Sequence, residues 1–166
     1  MIRFKEFMQE EATPRRKYVA VQYDKSTQDK LRRWANDNGF DLTTKYDGTK
    51  QDEKDFDFHT TIFFTTTEHV IPNHKKKITP VGTAKVVDIV MLGRNNDIPV
   101  LKIKSPTVLS IRQHYAETYG MKDEWPEYTP HVSLSYSKDL PDVNKVKLPD
   151  FELTFDEIKV DDGSEV

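Results

Sequence analysis

Alternation comes first in this chain. In YVAVQYD, Tyr18 to Asp24, apolar and aromatic side chains recur at every second position, which predicts a strand with one face on a core. The spacing then changes to helical. In STQDKLRRWANDNGF, Leu31, Trp34 and Ala35 make one apolar stripe, Asp24 or Ser26 supplies a cap, and Gly39 a stop. A polar loop follows (43–57) with a turn at Asp47-Gly48. FHTTIFFTTT (58–67) is the next predicted strand, and EHVIPNHKKKITPVG (68–82) a loop carrying Lys75, Lys76 and Lys77. TAKVVDIVMLG (83–93) and VLKIKS (100–105) read as strands of a hairpin joined through RNNDIP. Pro106 to Tyr119 is a second predicted helix, with Pro in its first turn, Val108, Ile111, Tyr115 and Tyr119 on one face, and Gly120 at its end. After the loop MKDEWPEYTP come the strands HVSLSYS (131–137) and FELTFDEIKV (151–160). Residues 1–17 form a charged N-terminal extension in which Ile2, Phe4, Phe7 and Met8 suit a short amphipathic turn. Residues 18–160 form one domain, and 161–166 an acidic tail.

The order contains an echo. Each half runs strand, helix, loop, and then a strand that opens with His-x-Thr or His-x-Ser. This predicts an α+β, bilobal fold: two antiparallel-sheet lobes flanking a central cleft, with helices outside. Side chains i and i+2 share a strand face. His59, Thr61 and Phe63 are therefore expected together, against Thr60, Ile62 and Phe64. Likewise His131, Ser133 and Ser135 stand against Val132, Leu134 and Tyr136.

Composition narrows the classes. The 166 residues suggest one domain with a sizeable core. The net charge of -3 argues against a partner such as long nucleic acid, whose capture needs a basic field. The chain has no cysteine, so disulfides, thiolate nucleophiles and Cys-based metal sites are excluded. No apolar run is long enough to span a membrane, and the charged start does not look like a secretory leader, so a soluble cytosolic protein is expected. No Walker loop, HExxH or EF-hand pattern is present, and neither a metal nor another cofactor is expected.

What remains is the pair of motifs. Cleaving a phosphodiester calls for a base on the nucleophile and an acid on the leaving oxygen, and imidazole serves as either near pH 7. A hydroxyl two residues on can hold phosphoryl oxygens as charge builds. A single strand histidine is also what a structural residue looks like. The matched places of His59 and His131 in the two halves favour a shared site.

At these residues the chain resembles the 2H phosphoesterase superfamily, named for two His-x-[Thr/Ser] motifs on a bilobal fold. Within it, the chain resembles the anti-CBASS nucleases of tailed phages, over about Tyr18 to Val160. The resemblance implies a catalytic set of His59, Thr61, His131 and Ser133. It implies metal-independent hydrolysis of 3′–5′ bonds in cyclic di- and trinucleotide immune signals such as 3′3′-cGAMP, in the cytoplasm of the infected bacterial host. One histidine would deprotonate a ribose 2′-OH for attack and the other protonate the 5′ oxygen. Which does which is open, as are base and ring-size preference and oligomeric state. Two alternatives are a relative acting on linear RNA ends or 2′,3′-cyclic phosphates, and a module that sequesters cyclic nucleotides uncut.

Such a ligand needs its bases gripped. Tyr18, with Ala20 and Gln22, is expected to face the cleft and either stacks a base or finishes the core as an edge tyrosine. The apolar parity of the last strand shifts between Phe155 and Ile158, which predicts a bulge. That turns Glu157 to the polar face, to accept from a base amino group or only to be solvated. Trp125 and Tyr128 suit either a lid or core packing, and Lys102 a positive cleft.

Overall fold

The computed structural model describes residues 15–67, 71–122 and 127–162. Eight elements follow one another: β1 (Arg15–Tyr23), α1 (Lys25–Asp37), β2 (His59–Thr67), β3 (His74–Leu92), β4 (Ile98–Lys104), α2 (Pro106–Tyr119), β5 (His131–Ser133) and β6 (Leu153–Asp161). The fold is α+β. The strands form a six-stranded sheet in the order β2-β1-β6-β3-β4-β5, and every pairing is antiparallel. The two lobes are the two ends of this sheet. β3 joins them, pairing with β6 in its first part and with β4 in its second. β2 and β5 lie at opposite ends of the strand order yet pack on each other, so the sheet curls and brings the two histidine motifs together.

The helices form where their sequence signals fall. Asp24 caps α1, its carboxylate accepting from Thr27 N at 2.9 Å, and Leu31 and Ala35 are fully buried. Ser105 caps α2 by accepting from Val108 N at 3.2 Å, and Gly120 closes it in the left-handed region at φ 65°. Val108 and Tyr115 are buried, with Ile111 and Tyr119 packed beside them. The core runs through both halves, from Val19, Val21 and Leu31 to Leu101, Val132 and Leu134. Each such side chain contributes roughly 1.5–3 kcal/mol when fully buried. Among the described residues no helix is long and apolar enough to cross a membrane.

Four expectations need correction. The predicted loop at 68–82 is largely strand, because β3 starts at His74 and carries Lys75–Lys77 against β6. The interruption around Pro80 is local: the β3–β6 register shifts between Lys77 and Gly82, then resumes. Gly82 is required there, since a Cβ would clash with the Phe155 ring opposite. Second, β5 is only three residues long. Ser135 is fully buried instead of facing the cleft, its hydroxyl donating to the Asp41 carbonyl at 2.6 Å. Third, β2 bulges at Ile62: Val19 pairs with Phe63 but Ala20 with Thr61. The bulge exchanges the two phenylalanines, so Phe64 joins the face of His59 and Thr61 while Phe63 turns into the core at 2% exposure. Fourth, the chain joins the sheet before Tyr18 and leaves it after Val160. β1 begins at Arg15 and β6 ends at Asp161. Ile2, Phe4, Phe7 and Met8 lie outside the described residues.

Candidate active site

Strand register sets the cleft face. His59 lies opposite Gln22 and Thr61 opposite Ala20, while Gln22 lies opposite Glu157 on its other side. Cross-strand partners share a face. One face of the β2-β1-β6 half therefore carries His59, Thr61, Tyr18, Gln22, Glu157 and Lys159. In the other half, His131 lies opposite Lys102 and Ser133 opposite Val100. α2 holds the two halves together. Its Arg112 guanidinium lies between the Phe63 ring of β2, at 4.3 Å, and the Tyr128 ring ahead of β5, at 4.2 Å. The Tyr128 hydroxyl then donates to the Thr61 carbonyl at 2.7 Å, across the junction.

The two motifs make the same local contacts. His59 Nδ1 is 3.1 Å from the Asp57 carbonyl, and His131 Nδ1 is 2.7 Å from the Thr129 carbonyl, each two residues upstream. A carbonyl only accepts, so in both rings Nδ1 carries the hydrogen. Nε2 is then the nitrogen that takes or gives a proton, and in both rings it makes no hydrogen bond among the described residues. Each hydroxyl also has a tyrosine. Thr61 Oγ1 is 2.9 Å from the Tyr18 hydroxyl, and the Ser133 side chain lies beside the Tyr136 phenol.

The surroundings differ. A carboxylate oxygen of Asp57 lies 3.6 Å from His59 Nδ1. That carboxylate also accepts from the Gln22 amide at 3.1 and 2.9 Å, in the orientation its neighbours dictate, and from Gln28 at 3.3 Å. Burial holds the His131 imidazole below the ordinary histidine value. The Thr129 carbonyl opposes this and the charge of His59 adds to it. Burial pushes the Tyr18 phenol well up, as it does that of Tyr128. Both therefore stay neutral hydroxyls that donate or accept.

The candidate binding residues fall in three groups. Tyr18 is on the cleft face but only 6% exposed, its ring edge-on to His59 at 5.9 Å, so it offers little open face to a base. Glu157 is on the cleft face, and the predicted bulge is present: Gln22 pairs with Glu157 and Tyr23 with Phe155, which leaves Asp156 unpaired. Its carboxylate is 3.4 Å from Lys77 Nζ. Lys102 borders His131, and Tyr128 braces the junction. Trp125 lies outside the described residues. Sequence reasoning missed Tyr136, assigned to the apolar side of a longer strand, and also Asp57. It also missed that Lys75, Lys77 and Lys159 sit across the sheet from one another and from Glu157. With Gln22 and Asp57 they line an open polar depression of about 410 Å³ beside His59. Among the described residues no group of three His, Cys, Asp or Glu side chains has the arrangement of a metal site.

Two imidazoles whose Nε2 atoms make no hydrogen bond among the described residues, with a hydroxyl two residues on from each, suit acid–base work on an anionic ester. Residues 15–162 match the model of the family described as Anti-CBASS protein Acb1. Among solved structures the chain is similar to the crystal structure of E. coli LigT complexed with phosphate. The identity is 11%, with 89% of this chain and 86% of that chain covered, at a TM-score of 0.48. No curated protein matches the chain.

Proposed function

The chain belongs to the anti-CBASS protein Acb1 family, and on that premise we propose that it is a two-histidine phosphodiesterase that opens cyclic di- and trinucleotide signals of CBASS defence in the infected bacterial cell. The observation that carries the proposal is the doubled contact pattern. Each histidine is fixed through Nδ1 by a backbone carbonyl, and each motif hydroxyl has a tyrosine phenol beside it. A structural histidine needs no partner motif with the same tautomer on a second strand packed against its own.

The chemistry follows from those atoms. One neutral imidazole takes the proton of a ribose 2′-OH on Nε2 while the 2′ oxygen bonds to phosphorus. The other imidazole, protonated, gives its Nε2 proton to the 5′ oxygen as the P–O5′ bond breaks. Thr61 and Ser133 hydroxyls donate to the nonbridging oxygens as charge grows there. The product is a 2′,3′-cyclic phosphate end, which water opens to a linear 3′-phosphate with the histidine roles reversed. Acid and base both come from the chain, so turnover is expected to survive EDTA.

The test is one incubation with 3′3′-cGAMP in EDTA, resolved by chromatography, with wild type beside His59→Ala and His131→Ala. Linear 3′-phosphorylated products from wild type alone support the proposal. An intact cyclic dinucleotide beside cleavage of 2′,3′-cyclic phosphate ends would redirect it to linear RNA. Equal cleavage by both variants would end the two-histidine mechanism.

A further inference from the structure

Tyr46 is the most exposed large hydrophobic side chain among the described residues, at 63%. It sits on a short turn between α1 and β2, and that turn is held closely. Lys45 N donates to the Thr49 carbonyl at 2.7 Å, Gly48 N to the Lys45 carbonyl at 2.9 Å, and Gln51 N to the Thr43 carbonyl at 2.8 Å. Asp47 Oδ1 accepts from both Thr49 N, at 2.9 Å, and Thr49 Oγ1, at 2.6 Å. Gly48 takes φ 87°, which a side chain rarely adopts. The exposed ring is therefore mounted on a fixed scaffold.

Its ring neighbour among the described residues decides where it is mounted. The Tyr46 and Tyr136 rings meet edge to face, 5.6 Å apart at 87°. Tyr136 is itself stacked on Phe56 at 5.8 Å, with the Ser133 side chain beside its phenol. Tyr46 thus stands one ring away from the hydroxyl assigned to the phosphate, at the rim of the His131 half. An edge-on contact fixes a ring without covering it. The Asp47 carboxylate is turned onto its own turn, and Lys50 Nζ donates to Thr44 Oγ1 at 3.2 Å. An uncovered aromatic ring one ring away from a phosphate site matches a nucleotide, with a base on the ring and the scissile ester at the hydroxyl.

We propose that the Thr43–Gln51 turn is a nucleobase platform, on which the Tyr46 ring stacks a base of the substrate adjoining the cut phosphate. This rests on the phosphodiesterase proposal for the identity of the nucleotide, but not for the stacking. Stacking accepts any base face, so the platform adds affinity without choosing between purines.

The test separates base from phosphate and binding from cleavage. Affinities for 3′3′-cGAMP and for base-free ribose 5-phosphate are measured by calorimetry on His131→Ala protein, with Tyr46 kept, changed to Ala, or changed to Trp. Tyr46→Ala is expected to weaken 3′3′-cGAMP by roughly 5- to 150-fold, the range for loss of one stacked base. Tyr46→Trp should keep the affinity, and ribose 5-phosphate should bind all three proteins alike. In the cleaving enzyme, Tyr46→Ala should raise KM by the same factor and leave kcat within about 3-fold. Equal 3′3′-cGAMP affinity with Ala and Tyr, an equal loss with Trp, or no binding of 3′3′-cGAMP at all would overturn the platform. Binding that depends on Tyr46 without any cleavage would keep the platform and remove the phosphodiesterase.

Discussion

The His59 half and the His131 half reach one chemical arrangement by different structural routes. On the β2 side the motif lies in a nine-residue strand at one end of the sheet, and the tyrosine that holds its hydroxyl comes from the neighbouring strand, far away in sequence. On the β5 side the strand is three residues long, and the tyrosine sits three positions further along the same segment. Thr61 is therefore positioned by the sheet and Ser133 by its own chain. The electrostatics diverge as well. His59 has a carboxylate near Nδ1, whereas among the described residues His131 has a carbonyl there and no carboxylate, and burial holds it below its ordinary value. The halves are alike in what they present and unlike in what sustains it, so matched substitutions should agree in kind and differ in side effects.

The histidines should show the agreement most strongly. His59→Ala and His131→Ala are each expected to cut kcat by about 10²–10⁴-fold, the range for one general acid or base. The double variant should be little worse than the poorer single, as the proposed two-histidine step requires of groups acting in one transition state. Steady-state rates on a cyclic dinucleotide decide this, and a histidine whose removal costs less than about 10-fold would break the symmetry. The hydroxyls come next. Thr61→Val and Ser133→Ala should each lower kcat by about 10²-fold with little change in KM, as loss of a transition-state donor does. An effect confined to KM would make them ground-state contacts instead.

The contrast also marks what the sequence could reveal. Strand, helix and cap signals near Tyr18, Leu31, Asp24 and Val108 are local, and they located most of the elements. The parity shift at Phe155 and Ile158 is local too, and it predicted the bulge that leaves Asp156 unpaired. The bulge at Ile62 was invisible because FHTTIFF has apolar residues on both sides of the slip, so either parity fits. The length of β5 was overestimated because Ser135 alternates correctly, although its hydroxyl is buried on Asp41. Tyr136 was hidden for the same reason. Its place follows from where β5 stops and from its stacking on Phe56. The cleft lysines were missed because 68–82 reads as a loop, whereas β3 starts at His74.

The tyrosines test the two routes themselves. Tyr18→Phe removes the partner of Thr61 at a site only 6% exposed, and should reduce stability by about 1 kcal/mol with a fall in kcat below about 10-fold. Tyr136→Phe acts on a less buried pair and should cost less stability for a similar change in rate. Urea unfolding beside steady-state kinetics measures both. If Tyr136→Phe proved the more destabilising, the local route would be the more rigid one, and the contrast would be reversed.

The smallest effect concerns the electrostatic difference. Because the folded His131 lies below 6.5, the unfolded chain protonates this residue first as pH falls. Between 6.5 and the folded value the unfolded state holds more protons, so stability rises with pH across that window and levels off above it. Below the folded value both states are protonated and the slope disappears. His131→Asn removes the group, so the stability advantage of wild type over this variant should shrink as pH drops from 7.5 to 5. Taking the difference cancels groups that do not interact with His131. The coupled His59 does not cancel, and the same comparison in a His59→Asn background removes it. Urea midpoints at four pH values suffice for both pairs. A difference that stayed flat in both backgrounds would mean that burial does not set the state of His131. A difference that shrank only when His59 is present would mean that the second imidazole sets it, and the two halves would then differ through their coupling more than through their surroundings.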